Sequence, residues 1–280
     1  IIMDDASTDN SRDIIELFRD DPRVRHIIFN PVNSGSPFRQ WSNGFTYTTG
    51  DWVWIAESDD TASPLFLEKM LAATTGKNGL AFVFCDSFIS KPGNIKNGSF
   101  AANKNLEFKT DKWSSPFYKD GKEEINESLK WSCSVNNASA VLFNRAHLGE
   151  VIKNIQSFRY HGDWMLYLLL ANAGTITYIP EALNTYREHE KNHSATDEQQ
   201  RAFRTEHFRI LDQLLELEYV TEKEKVFDHF IDRYTGFGFL SGPAFGKKGI
   251  FRQYAAINPK LARKTISTLL WNKLKRKKTG

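Results

Sequence analysis

"WVWIAESDD", residues Trp52 to Asp60, drives an apolar run straight into an acidic cluster. Trp52 to Ala56 has the aromatic and β-branched content of a buried strand. Glu57, Asp59 and Asp60 then stand at its carboxyl end, where they repel one another unless they turn to solvent or share a cation. A hard divalent ion, Mg²⁺ or Mn²⁺, suits carboxylates offered over an open cavity, because it keeps waters and completes its shell with phosphates. The absence of a neighbouring cysteine argues against zinc. A solvated acidic turn is the competing reading of this segment taken alone.

Outward from this strand, short apolar runs alternate with helical stretches. Toward the N-terminus, Ile1 to Met3 reads as a strand end, "DNSRDIIELFRDD" as a helix capped at Asp9 or Asn10, and "VRHIIF" as a strand stopped by Pro31. Ser36 to Thr48 reads as a short helix. Toward the C-terminus, "SPLFLEKMLAATTG" carries Ser63 as a cap and Pro64 in the first turn, and "LAFVFC" is a strand ending at Asp86. This alternation predicts a largely parallel sheet covered on both faces, with ligands beyond the carboxyl ends of its strands. From Ser87 to Lys130 the periodicity fails, and the stretch reads as a long polar excursion. "ASAVLF" resumes strand character, "GDWMLYLLLANAG" is a helix starting near Asp163 and ending before Gly174, and "TITYI" is a strand ended by Pro180. Beyond "YREHEKNHS" come long helices, Glu198 to Tyr219 and a second launched by a Thr221 to Glu224 capping box. The division is therefore an α/β core over 1–194 and a helical appendage over 195–280.

Composition limits the function classes. With 40% hydrophobic and 25% charged residues and a net charge of +3, the chain is ordinary and globular, with no reason to invoke nucleic acid. Two cysteines make no disulfide framework; Cys85, inside "LAFVFC", reads as a reduced buried thiol, which points to the cytoplasm. No apolar run is long enough to span a bilayer. From Gly246 to Gly280 there are eleven Lys or Arg and no acid. This tail fits either a helix packed by its apolar side with solvated lysines, or one lying on an anionic membrane, which would place the protein at the inner face of the cell membrane.

Three more segments carry chemistry. "DDASTDNS", Asp4 to Ser11, ends a strand with two carboxylates able to accept from a nucleobase or ribose, or to close an Asx turn and cap a helix. It lacks the glycines and Lys of a Walker loop. Asp163 in "YHGDWMLYLLL" can be a general base or a helix N-cap. In "YREHEKNHS", His189 can meet a metal or diphosphate and Arg187 can offset phosphate charge; a plain surface loop is the alternative.

In this order, the pieces resemble a family 2 glycosyltransferase of the GT-A fold. "IIMDDASTDNS" resembles the Asp-Asp-x-Ser-x-Asp motif, "NSG" at Asn33 to Gly35 the following Asn-x-Gly, and "GDWVWIAESDD" the strand ending in a DXD-type metal motif. The late segment from "GDWMLYLLL" to "YREHEKNHS" resembles the one with the base and the Tyr-Arg-x-His run. The resemblance covers Ile1 to about Ser194 and implies a GT-A-like, mostly parallel sheet flanked by helices, its first strand with the Pro-x-Tyr-Asn turn missing, followed by a C-terminal helical appendage. It implies an inverting enzyme that moves sugar from a nucleoside-diphosphate sugar to a hydroxyl of a saccharide or lipid-linked saccharide, in polysaccharide or glycan synthesis. Asp5 would contact the base, Asp59 the ribose and metal, Asp60 and Glu57 the metal, Arg187 and His189 the diphosphate; Asp163 would be the catalytic base. Glu57 replaces the usual first Asp, and Gly162 replaces the Glu common before the base. These departures and the missing strand favour the rival of a non-catalytic interaction module, whereas Asp59, Asp60, Asp163 and His189 together count against it; a second rival is a sugar nucleotidyltransferase, which would release pyrophosphate.

Overall fold

The computed structural model describes residues 1–91, 95–188 and 197–235 together with Pro259. It divides into two compact units, Ile1–His193 and Ser194–Gly280. In the first, the strands are β1 (Ile2–Asp4), β2 (Ile27–Phe29), β3 (Trp52–Trp54), β4 (Thr61–Ala62), β5 (Leu80–Lys91), β6 (Ile95–Ser99), β7 (Phe117–Asp120), β8 (Val141–Asn144) and β9 (Thr175–Arg187). Its helices are α1 (Ser11–Glu16), α2 (Pro37–Phe45), α3 (Phe66–Ala72), α4 (Phe100–Phe108), α5 (Gly121–Glu124), α6 (Arg145–Val151) and α7 (Gly162–Ala173). The second unit holds α8 (Asp197–Glu216) and α9 (Lys223–Thr235), whose buried faces include Phe208, Leu211 and Leu214 on one helix and Val226, Phe227 and Phe230 on the other.

The main sheet runs β3-β8-β5-β9-β4, with β6 on β5 and β7 on β9, while β1 and β2 form a separate parallel pair. The α/β architecture stands, but the pairing is mixed where mostly parallel pairing was expected. Strand β8 lies between β3 and β5 and runs antiparallel to both, so within this sheet only β5 and β9 are parallel neighbours among the described residues. Between the two sheets, a cavity of about 230 Å³ is lined by Ile1, Met3 of β1, Gln40 and Phe45 of α2, and the stretch from Val53 to Glu57.

Side chains of β5 alternate between the faces, as a strand requires. Val83 and Cys85 join Phe66, Met70, Leu142 and Leu183 in a buried cluster under α3. Phe82 and Phe84 meet Tyr167 of α7, Trp113 and Tyr178, with ring centroids 5.0 to 6.2 Å apart. Each such fully buried side chain contributes roughly 1.5–3 kcal/mol relative to exposure. Cys85 and Cys133 are free, and burial pushes the Cys85 thiol up to about 12.

Two strands outrun their sequence expectation. The end placed at Asp86 lies inside β5, opposite a bulge of β9, and the buried Asp86 Oδ1 accepts the Ala101 N–H at 2.8 Å. The end placed at Pro180 falls within that bulge, where the register jumps from Ile179 to Ala182, a position that tolerates a residue without an N–H. The polar excursion is likewise folded, around charges held indoors. Glu124 is fully buried against Lys112 and Lys119. Lys104 donates to the Ser134 carbonyl at 3.0 Å and lies 3.9 Å from the Trp113 ring centroid. Desolvation lowers its pKa to about 8, against the opposing pull of Asp86 and Glu124. No helix among the described residues is long and apolar enough to cross a membrane.

Candidate active site

Strand β3 delivers its acidic turn as the sequence suggests. The Asp60 N–H folds back to the Glu57 carbonyl at 3.3 Å, and Glu57, Asp59 and Asp60 can each present a ligand oxygen within 4.8 Å of the others. Burial, and then the like charges of Asp59, Asp60 and Asp163, push the Glu57 carboxyl up to about 7. Asp163 is therefore near enough to share the electrostatics of the turn. Asp60 Oδ1 accepts the Arg187 N–H at 3.0 Å, while Asp60 Oδ2 is buried without a hydrogen-bond partner among the described residues. A buried carboxylate oxygen of this kind is costly unless something positive reaches it. The donor set is oxygen only and crowded with like charge, so the residues fit a hard divalent cation.

Arg187 reaches the turn with its backbone amide, and its side chain is exposed. His189 lies outside the described residues. Asp163 occupies the second position of α7, with His161 at the N-cap, so it sits in the first turn, where the helix dipole favours a carboxylate. The helix starts at a glycine for a packing reason: a Cβ on Gly162 would lie 2.5 Å from the Phe38 ring of α2. Phe38 thus fills the space that an acidic side chain before Asp163 would need.

Asp5 lies behind Gln40, which lines the cavity, and is already heavily engaged. Its Oδ1 accepts from Asn30 Nδ2 at 2.7 Å, the Ser34 N–H at 2.8 Å and Gln40 Nε2, and its Oδ2 accepts from Ser34 Oγ at 2.7 Å. Burial alone would raise its pKa, but these donors together hold it below the usual carboxylate range. Asn33 of the "NSG" segment closes the same corner by donating to the Asp5 carbonyl at 2.9 Å. Directly after Asp5, Ala6 takes φ +60°, a conformation that suits glycine, and the Ser7 N–H donates to Asp4 Oδ2 at 3.2 Å. Gln40 links the halves, since it binds Asp5 and lines the cavity that also reaches Glu57.

Sequence reasoning passed over Ser139, Asn137 and Asn184, which hold the acidic turn from behind. Their only sequence signal is weak: Asn-Asn-Ala-Ser ahead of a strand and a lone Asn inside "EALNTY", where β-strands disfavour it.

No curated protein sequence matches the chain. Among solved structures, S. aureus TarS 1-349 in complex with UDP-GlcNAc superposes with a TM-score of 0.64 at 15% identity, over 94% of this chain and 73% of that one. The same protein in complex with UDP gives 0.62 at 14% identity, over 94% and 72%. Full TarS gives 0.62 at 14%, over 94% of this chain and 44% of its own. At such identities the likeness is one of fold. The sequence profile described as "Glycosyl transferase family 2" matches residues 1–152, more than half of the 280. On this match, the chain belongs to glycosyl transferase family 2.

Proposed function

We propose that this protein is an inverting glycosyltransferase that moves a sugar from a nucleoside-diphosphate sugar to a hydroxyl of a saccharide or lipid-linked saccharide acceptor in glycan or polysaccharide synthesis. The core of this activity is residues 1–194, with 195–280 as a helical appendage. The observation that carries the reading is the buried, unpartnered Asp60 Oδ2 beside Glu57 and Asp59, with Asp163 close enough to raise the Glu57 pKa.

A divalent cation held by Glu57, Asp59 and Asp60 would neutralise the diphosphate of the leaving group. The remaining work falls to the protein's own groups. Asp163 takes the proton of the acceptor hydroxyl, whose oxygen forms the new bond to the anomeric carbon as the bond to the diphosphate breaks and its electron pair leaves with the nucleoside diphosphate. One displacement inverts configuration. No carboxylate nucleophile is required, unlike in a retaining hydrolase. Asp5, fixed by Asn30, Ser34 and Gln40, would contact the nucleotide base.

S. aureus TarS has been crystallised with UDP and UDP-GlcNAc, which makes uridine nucleotides the first donors to test. Calorimetric titration of UDP with and without Mn²⁺ into wild type and Asp60→Asn tests the assignment. UDP affinity should rise with Mn²⁺ in the wild type and much less in the variant; affinities indifferent to metal in both proteins would remove the metal role. Release of free UDP with a glycosylated acceptor separates transfer from nucleotidyl chemistry, which releases pyrophosphate.

A further inference from the structure

A relay of buried hydrogen bonds grips the acidic turn at both ends. At its start, the Glu57 N–H donates to Ser139 Oγ at 3.0 Å, and the indole of Trp54 donates to the Ser139 carbonyl at 2.8 Å. The Ser139 N–H donates to Asn137 Oδ1 at 3.0 Å, and Asn137 Nδ2 donates to Asn184 Oδ1 at 2.6 Å. Asn184 Nδ2 then donates to the carbonyl of Thr61 at 3.0 Å, the residue that follows Asp60. Ser139, Asn137 and Asn184 are 1%, 4% and 2% exposed, so the bonds among these three side chains are shielded from water. The Asn184 backbone is in turn fixed in β9, opposite Ala62 of β4 and Ser87 of β5. The turn's two flanks are therefore tied to one another through side chains that come from far along the chain.

This geometry matters because of the charges it confines. Carboxylates whose oxygens approach within 4.8 Å repel each other, and a turn free to move would splay them until a cation arrived. Groups held in advance at the geometry of the bound state bind without first losing that freedom. We propose that Ser139, Asn137 and Asn184 are positioning residues that preorganise the cation site by fixing the distance between Glu57 and Asp60. The inference rests on the cation reading of the acidic turn given above.

Free Mn²⁺, followed by its paramagnetic resonance signal during titration with and without UDP, tests it in wild type, Ser139→Ala and Asn184→Leu, with thermal melting of each protein alongside. Ser42→Ala is the control, since Ser42 is also buried and donates to the Ile152 carbonyl at 2.7 Å, with no bond to the relay. Both relay variants should bind Mn²⁺ at least about tenfold more weakly, the usual cost of losing support behind a metal ligand. The control should melt lower with its Mn²⁺ affinity unchanged. Unchanged affinity in folded Ser139→Ala and Asn184→Leu would overturn the relay while leaving the cation reading standing. A wild type that takes up no Mn²⁺ in either condition would overturn the cation reading and the relay with it. Should Asn184→Leu fail to fold, Ser139→Ala decides alone, because it deletes a single hydroxyl.

Discussion

Replacing Glu57 with Gln should stabilise the metal-free protein at and above neutral pH and flatten its pH dependence. The Glu57 carboxyl is raised from its ordinary 4.5 to about 7, by burial first and then by Asp59, Asp60 and Asp163. A raised acid favours the folded state when protonated. Its contribution is therefore complete below about pH 4.5, declines as pH rises, and is lost above about pH 7. At about 1.36 kcal/mol per pH unit, the shift corresponds to about 3 kcal/mol. Water reaching the partly exposed turn reduces this to on the order of 2 kcal/mol, or about 4 to 8 °C in melting temperature for a chain of this size. Thermal melts in a chelator at about pH 4.5, 6 and 8 read the effect as the difference between the two proteins, which cancels the titrating groups that do not interact with Glu57. Glu57→Gln should gain on the wild type steadily across that range. Added Mn²⁺ should then restore wild type more than the variant, because the carboxylate that destabilises the empty turn is a ligand in the filled one. Curves that stay parallel from low to high pH would refute the argument that Glu57 is held against its like-charged neighbours.

Asp163→Asn keeps the polarity of the first turn of α7 but cannot accept a proton, so it should retain UDP binding and lose most transfer, by about 10²-fold or more; near-normal turnover would sink the base assignment. Gly121→Ala should lower stability by about 3 kcal/mol in urea unfolding, because its Cβ would lie 2.1 Å from the Ala171 carbonyl oxygen of α7; an unchanged midpoint would show that α5 can move away. The membrane reading of the basic tail, which lies outside the described residues, expects the intact chain to sediment with anionic but not neutral liposomes at low salt, and a chain ending before Asn258 to stay in solution. Equal behaviour of the two would leave the tail to packing and solubility.

What the sequence determined by itself is what local chemistry decides. The apolar run into Glu57, Asp59 and Asp60 announces a strand end with a charge problem, and the structure brings the three carboxylates together there. Helix α7 begins and ends within a residue of its punctuation, because a capping region and a terminal glycine act on the backbone beside them. Polar residues in an apolar setting misled the reading wherever their partner was remote. Asp86 and Pro180 look like strand ends because a charge and a missing N–H are unfavourable in a ladder, and only the bulge of β9, with the Ala101 N–H on Asp86, shows why the strands continue. The mixed order of the sheet, with β8 inserted between β3 and β5, is a choice among long-range pairings that periodicity does not encode. Arg187 was singled out for its guanidinium, yet its backbone amide holds Asp60, since the register of β9 selects which atom faces the turn. Ser139, Asn137 and Asn184 have no meaning until the chain closes on itself. Their hydrogen bonds join residues 47 to 123 positions apart, and only the tertiary fold excludes the water that would otherwise take their place.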